Sequence, residues 1–399
     1  MIRKENLYQS PNALAEYYSA FKVSERLLLT GHSHQAWPDC SFEGQKQAWL
    51  DAAEFVDDKW EKAFGKAEEI RSGYSSLLDD SNGNIALASS THDLLIRFLS
   101  ALQLSKDINI ITTDGEFHTI RRQLDRLAEE GIEIIKIPSS PSGQVLEKLI
   151  SAVNDKTRAV LVSKVFFNTG EILGNLSPLA EKCEKFGAEL LVDVYHSLNV
   201  VPFSIKKEKL ENSFVIGGGY KYCQLGEGNC FLRFPAKTDL RPVITGWYSE
   251  FGTLSHKKKA GEVMYGSREA LFAGATYDPV SNYRGSEVFR FFNAKNLTPE
   301  FLRQVSQHQV SLLAEKFDNA DLDPKFITRN NSISLDMIGG FLVLSSDSAE
   351  EISVHLKKES VLTDYRGRSL RLGPAPYLSD EQLIKSMDIL ISIVKSISK

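Results

Sequence analysis

Cysteine is scarce in this chain: four residues in 399, at Cys40, Cys183, Cys223 and Cys230, with no CxxC pair. That is too few for a disulfide framework in a chain of this length and fits a reducing cytoplasm. No stretch approaches the roughly 18 apolar residues that a membrane span needs. The opening Met1-Ile2-Arg3-Lys4-Glu5-Asn6 has no apolar signal core behind its charges. Basic residues are not in excess either: 47 Lys and Arg stand against 52 Asp and Glu, a net charge of −5. This argues against nucleic acid or an anionic membrane as the partner. The lysine run Lys257-Lys258-Lys259 reads as a solvated loop. Internal repeats, low-complexity segments and long linkers are all missing. What remains, 42% apolar and 25% charged, is ordinary globular composition.

The middle of the chain alternates two patterns. Strand-like apolar runs occur at Asn84–Ala88, Asn109–Thr112, Glu133–Ile137, Ala159–Ser163, Ala188–Asp193, Ser213–Ile216 and Gly228–Arg233. Helical spacing falls between them at Thr91–Leu104, Arg121–Glu130, Gly143–Val153 and Leu176–Phe186. Such alternation predicts an α/β fold with a mainly parallel sheet covered by helices on both faces. After Pro279 the texture changes. Glu287–Lys316 reads as one long helix, Phe341–Ser345 as a strand, Glu350–Lys358 as a helix, Ser369–Gly373 as a strand and Asp380–Ser396 as a last helix. This predicts a smaller α+β domain. The expected division is 1–40 as an arm joining the small domain, 41–280 as the large domain and 281–399 as the small one.

Three segments of the large domain carry chemistry. Gly217-Gly218-Gly219-Tyr220-Lys221-Tyr222 follows a strand. Its glycines let backbone approach a bulky ligand, and a lysine held against apolar walls loses basicity and condenses with carbonyls. Asp193 ends the run Leu190-Leu191-Val192, at the carboxyl end of a strand where open α/β sheets bind ligands. His196 lies three residues on. Ser89-Ser90-Thr91-His92 opens a helix, where backbone N–H groups and the dipole attract phosphate. A simple N-cap explains that last segment equally well. Phosphate cup, strand-end carboxylate and, 28 residues after it, a glycine-flanked lysine together point to pyridoxal 5′-phosphate (PLP), whose pyridine nitrogen needs a carboxylate partner.

At these residues the chain resembles the class V aminotransferase group of fold-type I PLP enzymes, and within it kynureninase. The resemblance is carried by Thr169-Gly170-Glu171, Asp193-Val194-Tyr195-His196, Gly219-Tyr220-Lys221-Tyr222, Gly226-Glu227-Gly228, Gly246-Trp247 and Arg371-Leu372-Gly373-Pro374-Ala375-Pro376. It runs from about Leu28 to the last helix. It implies a large domain with a seven-stranded type of sheet, a small C-terminal domain and PLP on Lys221. It also implies Asp193 on the pyridinium, His196 and Tyr220 on the cofactor, Thr91, His92 and Thr169 around it, and Phe117 stacked on the ring. Trp247 and Thr276 would reach the phosphate across a homodimer interface with shared active sites. Arg371 would take the α-carboxylate of a small amino-acid substrate through a bidentate contact.

The chain departs from kynureninases at Gly31-His32-Ser33-His34 and at His118-Thr119-Ile120. His32 and His34 are therefore expected to replace family contacts to substrate. A metal role for His32-x-His34 lacks a third ligand. The expected activity is hydrolytic Cβ–Cγ cleavage with Lys221, Asp193 and Tyr220 as the catalytic set. The alternative is a class V aminotransferase or lyase acting on another amino acid, and a non-catalytic PLP-fold protein ranks below both. A cysteine desulfurase is disfavoured, because no cysteine follows Cys230 to serve as a mobile nucleophile.

Overall fold

A computed structural model describes residues 2–257, 259–266 and 268–398, so Lys258 of the lysine run lies outside the described residues. The chain opens with the short helix α1 (Glu5–Tyr8), strand β1 (Leu27–Leu28) and helices α2 (Cys40–Phe55) and α3 (Lys59–Leu77). Strands and helices then alternate: β2 (Asn84–Ala88), α4 (Thr91–Ala101), β3 (Asn109–Thr113), α5 (His118–Glu129), β4 (Glu133–Ile137), α6 (Val145–Ala152), β5 (Thr157–Ser163), α7 (Ser177–Phe186) and β6 (Glu189–Asp193). The strands β7 (Phe214–Gly218) and β8 (Cys230–Phe234) follow. The remainder is α8 (Val280–Lys295), α9 (Pro299–Asp318), β9 (Leu342–Ser345), α10 (Ala349–Lys358), β10 (Val361–Leu362), β11 (Asp364–Arg366), β12 (Ser369–Leu372) and α11 (Asp380–Ile397).

Strands β2 to β8 form one seven-stranded sheet in the order β2-β8-β7-β6-β5-β3-β4. Only β8 runs against the rest, pairing antiparallel with both β7 and β2. Successive side chains leave a strand on opposite faces, and here both faces are buried. Val160 and Val162 of β5 join one core with Leu149, Leu179, Tyr74 and Phe289. Ala159 and Leu161 join another with Leu94, Phe98, Ile120 and Leu124. Helices therefore cover both sides, which is why these strands read as unbroken apolar runs. The expected mainly parallel sheet is what forms.

A second, three-stranded antiparallel sheet has the order β11-β12-β9. The N-terminal segment is stitched to this region: β1 pairs with β10, Gly31 N–H donates to Gly373 O at 2.7 Å, and Gly373 N–H donates to Leu29 O at 2.7 Å.

The expected single helix over Glu287–Lys316 is two helices. Asn296 adopts the left-handed conformation (φ 56°) and ends α8. Thr298 then caps α9, accepting from Phe301 N–H, with Pro299 at its first position. Threonine cap plus proline is a start signal that outranks continuous periodicity. Helices α2 and α3 had no counterpart in the sequence reading. Helix α2 approaches α8 closely at Gly44, where an added Cβ would lie 2.6 Å from Tyr283 O.

Candidate active site

The carboxyl ends of β2, β3, β6 and β7 open on one side of the sheet, and a cavity of about 230 Å³ lies above them. Its walls include Ser89, Ser90, Thr91, His92, Phe117, Asp193, Tyr195, His196, Tyr220, Lys221, Glu227 and Cys230. Nine residues singled out from sequence thus share one wall system: Ser89, Ser90, Thr91, His92, Phe117, Asp193, His196, Tyr220 and Lys221.

At one end is the start of α4. The Ser90 hydroxyl accepts from Asp93 N–H at 3.2 Å, so the simple N-cap is real. Ser89, Thr91 and His92 also line the cavity. At the sheet end is Asp193, whose Oδ1 accepts Tyr195 N–H at 2.8 Å. Burial pushes its carboxyl up to about 6, against the pull of that N–H and of Lys221. Phe117, at the residue before α5, forms a side wall and meets Phe167 edge-on at 5.3 Å between centroids. His196 is buried and kept neutral by its enclosure.

Lys221 is buried, with Nζ donating to the carbonyl of His32 at 3.1 Å. Its ammonium lies 5.5 Å and 5.1 Å from the ring centres of Tyr195 and Tyr220. Burial, then the Arg371 charge, lowers it to about 7, while Asp193 and Asp364 oppose the shift. An amine poised near neutrality is nucleophilic and exchanges protons readily. The glycines before it serve protein packing rather than ligand approach. A Cβ on Gly218 would lie 2.5 Å from the Tyr195 hydroxyl, and one on Gly219 2.6 Å from Leu225. Tyr195 and Leu225 take the space that the sequence reading assigned to a ligand.

The other named residues lie outside this wall. Arg371 is buried behind it, donating from Nε and Nη2 to Asp364 at 2.8 and 2.5 Å and from Nη1 to Phe167 O at 2.7 Å. Three of its five N–H groups are engaged, which leaves two. His32 is fully enclosed, with Nε2 2.8 Å from Asp364 Oδ1, and burial lowers it to about 4. His34 stacks on Tyr220 at 4.8 Å and reaches Glu227 at 3.6 Å. Thr169 Oγ1 accepts Glu171 N–H at 3.3 Å in its own turn. Trp247 and Thr276 bind each other, Nε1 to Oγ1 at 3.1 Å, on the exposed side of the molecule. Among the described residues no group of three His, Cys, Asp or Glu side chains could hold a metal ion.

Sequence reasoning missed Tyr195, Glu227 and Cys230 in the cavity, and Asp364 behind it. Cys230 starts the antiparallel β8 and sits between its register partners Ala88 and Gly218. Burial raises its thiol to about 12, and the Thr91 N–H faces it. All four cysteines are unpaired: Cys183, Cys223 and Cys230 are buried and Cys40 is half-buried.

No family model matches the chain. It is 21% identical over 348 residues to the uncharacterized aminotransferase YcbU of Bacillus subtilis, covering 86% of this chain and 88% of that one. It is 26% identical over 201 residues to the cysteine desulfurase IscS of Rickettsia massiliae, a match spanning 49% of this chain and 48% of that protein. Among solved structures, it is similar to the apo cysteine desulfurase of Thermococcus onnurineus NA1, with a TM-score of 0.81 at 15% identity over 97% of this chain and 98% of that one. It is also similar to the cystine C–S lyase C-DES in complex with its product cysteine persulfide, with a TM-score of 0.80 at 15% identity over 94% and 99%. At such identity these structures establish the fold. A second C-DES structure, similar at a TM-score of 0.80, has glycine covalently linked to its PLP cofactor.

Proposed function

We propose that this chain, which has the fold of the fold-type I PLP enzymes and is related to class V aminotransferases and cysteine desulfurases, carries PLP on Lys221 and acts on a small amino acid as a class V lyase. The observation that carries this is the cavity itself. A helix N-terminus suited to phosphate, a buried carboxylate suited to a pyridinium and an amine near neutrality share about 230 Å³. Those donors fit the cofactor.

The relatives favour elimination over the hydrolysis expected from the kynureninase resemblance, so kynureninase-type cleavage gives way to the lyase. A desulfurase that passes sulfur to its own cysteine is a poorer fit, because no cysteine follows Cys230 and Cys230 is buried. An aminotransferase is the second reading, favoured by the match to YcbU along 348 residues.

Bound PLP supplies an electron sink for charge developing at the substrate Cα. In this chain Lys221 Nζ removes the α-proton and Asp193 holds the proton on the ring nitrogen. Tyr220 relays a proton to the leaving group at Cβ. Phe117, Thr91, His92 and His196, which line the cavity, would hold the cofactor, while Thr169, assigned to it from the resemblance, lies outside the cavity wall. Arg371 offers its two remaining donors to the α-carboxylate, and His34 stacks on Tyr220 of the cavity wall, whereas His32, expected from the sequence to touch substrate, is fully enclosed and lines no part of the cavity. Trp247 and Thr276 belong to the phosphate site of a second copy in a homodimer. The neighbouring exposed Val243, Ile244, Phe251 and Leu254 provide apolar area for that contact. No described helix is long and apolar enough to cross a membrane, and four unpaired cysteines suit the cytoplasm.

The test is a substrate panel on purified protein: cystine, cysteine, alanine, kynurenine and 3-hydroxykynurenine. Pyruvate and ammonia released from a β-sulfur substrate are the expected result. Anthranilate formed from kynurenine would reinstate the hydrolase.

A further inference from the structure

Behind the cavity, three side chains from distant parts of the sequence form one buried unit. Asp364 on β11 and Arg371 on β12 are register partners across an antiparallel hairpin. The carboxylate takes Arg371 Nε and Nη2 and, on Oδ1, His32 Nε2 at 2.8 Å. Since the carboxylate accepts, the neutral His32 carries its proton on Nε2, and its Nδ1 is a buried acceptor without a donor. A Cβ on Gly373 would stand 2.3 Å from that Nδ1, so the glycine is what lets the ring in. The backbone carbonyl of the same His32 accepts from Lys221 Nζ at 3.1 Å.

We propose that Asp364 is a positioning residue for Lys221: by clamping the His32 ring and the Arg371 guanidinium together, it fixes the His32 carbonyl that receives one Lys221 N–H, leaving the rest of the amine to face the cavity. The proposal rests on the reading of Lys221 as the reactive amine. It explains why a fully enclosed histidine, which lines no part of the cavity, sits within one backbone carbonyl of the lysine. It also explains why the arginine of the hairpin is paired with a carboxylate of its own chain. The small sheet is thereby wired to the reactive lysine of the large one through two residues of the N-terminal segment and the hairpin.

The charged groups that act on Lys221 are Arg371, Asp193, Asp364 and Arg366; His32, His34 and His196 also feel its charge, and the Tyr195 and Tyr220 rings face its ammonium. Asp364 raises its pKa and Arg371 lowers it.

The experiment titrates Lys221 in the full-length apoprotein by ¹³C reductive methylation followed by NMR, so that it reads the lysine without cofactor or turnover. Asp364→Asn is expected to lower the Lys221 pKa by about one unit or more, and Asp364→Glu to return it towards the parent value. An Asp364→Asn protein that titrates like the parent overturns the proposal. Should that variant fail to fold, His32→Leu and His32→Gln decide, since neither alters a charge. Gln can donate to Asp364 where Leu cannot, so the Leu variant is expected to label several-fold faster at pH 7 and the Gln variant to match the parent. Equal behaviour of the two overturns the proposal. Failure of the PLP reading shows separately, as a borohydride-fixed cofactor on a different lysine.

Discussion

Asp364 and Arg371 meet side-on: Nε donates to Oδ1 at 2.8 Å and Nη2 to Oδ2 at 2.5 Å, with the arginine side chain almost completely enclosed. Burial pushes the Asp364 carboxyl up, but His32 and Arg371 outweigh it and hold it far below the usual carboxylate range. Removing one partner of such a pair strands the other charge. Arg371→Ala is therefore expected to cost on the order of 3–5 kcal/mol in urea unfolding. The double variant Asp364→Ala/Arg371→Ala should lose less than the single one. A double variant less stable than Arg371→Ala would show that the two groups are not coupled.

Arg371 also bears on substrate class. Its two unused donors suit a carboxylate, and charge-assisted contacts contribute about 1.5–3 kcal/mol. Arg371→Lys should raise KM for amino acids at least about tenfold, while simple amines are spared. Equal losses for both substrate types would make Arg371 purely structural.

The lysine assignment has a direct chemical readout. Borohydride treatment of the PLP-loaded protein should fix the label on the peptide containing Lys221. Lys221→Ala should lose the label and keep its far-UV circular dichroism, since the truncation faces a cavity rather than the core. A label on another lysine would disprove the assignment.

Asp193→Asn removes the charge that keeps a pyridine nitrogen protonated. Turnover should fall by orders of magnitude with little change in unfolding midpoint, because the native carboxylate is itself raised to about 6 by burial. Near-normal turnover would assign the pyridinium to another partner.

Glu116 gives a pH signature of its own. It is buried beneath the site, accepting from Thr113 Oγ1 at 2.6 Å and Ser163 Oγ at 2.5 Å, yet burial raises it to about 7. A free glutamate titrates near about 4.3. Because the folded value is the higher one, its contribution is complete below about pH 4 and fades as pH rises towards 7. The parent should therefore lose on the order of 2–3 kcal/mol across that window relative to Glu116→Gln. Parallel stability curves for the two proteins would refute the shift.

A shared active site predicts complementation. Lys221→Ala and Trp247→Ala proteins, each inactive alone, should regain about half of parental activity as a purified heterodimer, which has one intact site of two, and about a quarter in a randomly re-paired mixture. Sedimentation of a fully active monomer would rule this out.

Several elements were legible from local pattern. Asn84–Ala88 and Glu133–Ile137 form as strands with the bounds read from the sequence, because short runs rich in aliphatic residues between helices suit a strand, here the two edges of the sheet, where Glu133 and Lys136 stay exposed. Lys221, Asp193, Thr91 and Phe117 were legible because each sits at the carboxyl end of a strand or just beyond it, and the parallel sheet brings those ends together. Helix α3 was not, since its face of Ala63, Ala67, Ile70 and Tyr74 is small and broken. The break at Asn296 was present as Thr298-Pro299 but lay inside a longer helical periodicity.

The sequence by itself determined the sheet, the strand-end residues and the compositional class, since these follow from periodicities of two and 3.6 acting over short range. Only the tertiary structure decided what stands behind the lysine. His32 lies 189 residues from Lys221 and 332 from Asp364, and their hydrogen bonds exist because β1 pairs with β10 and β11 with β12. Pairing of that range is set by burial of whole elements rather than by any local pattern. A lone histidine and a lone aspartate therefore carry no trace of it in the sequence.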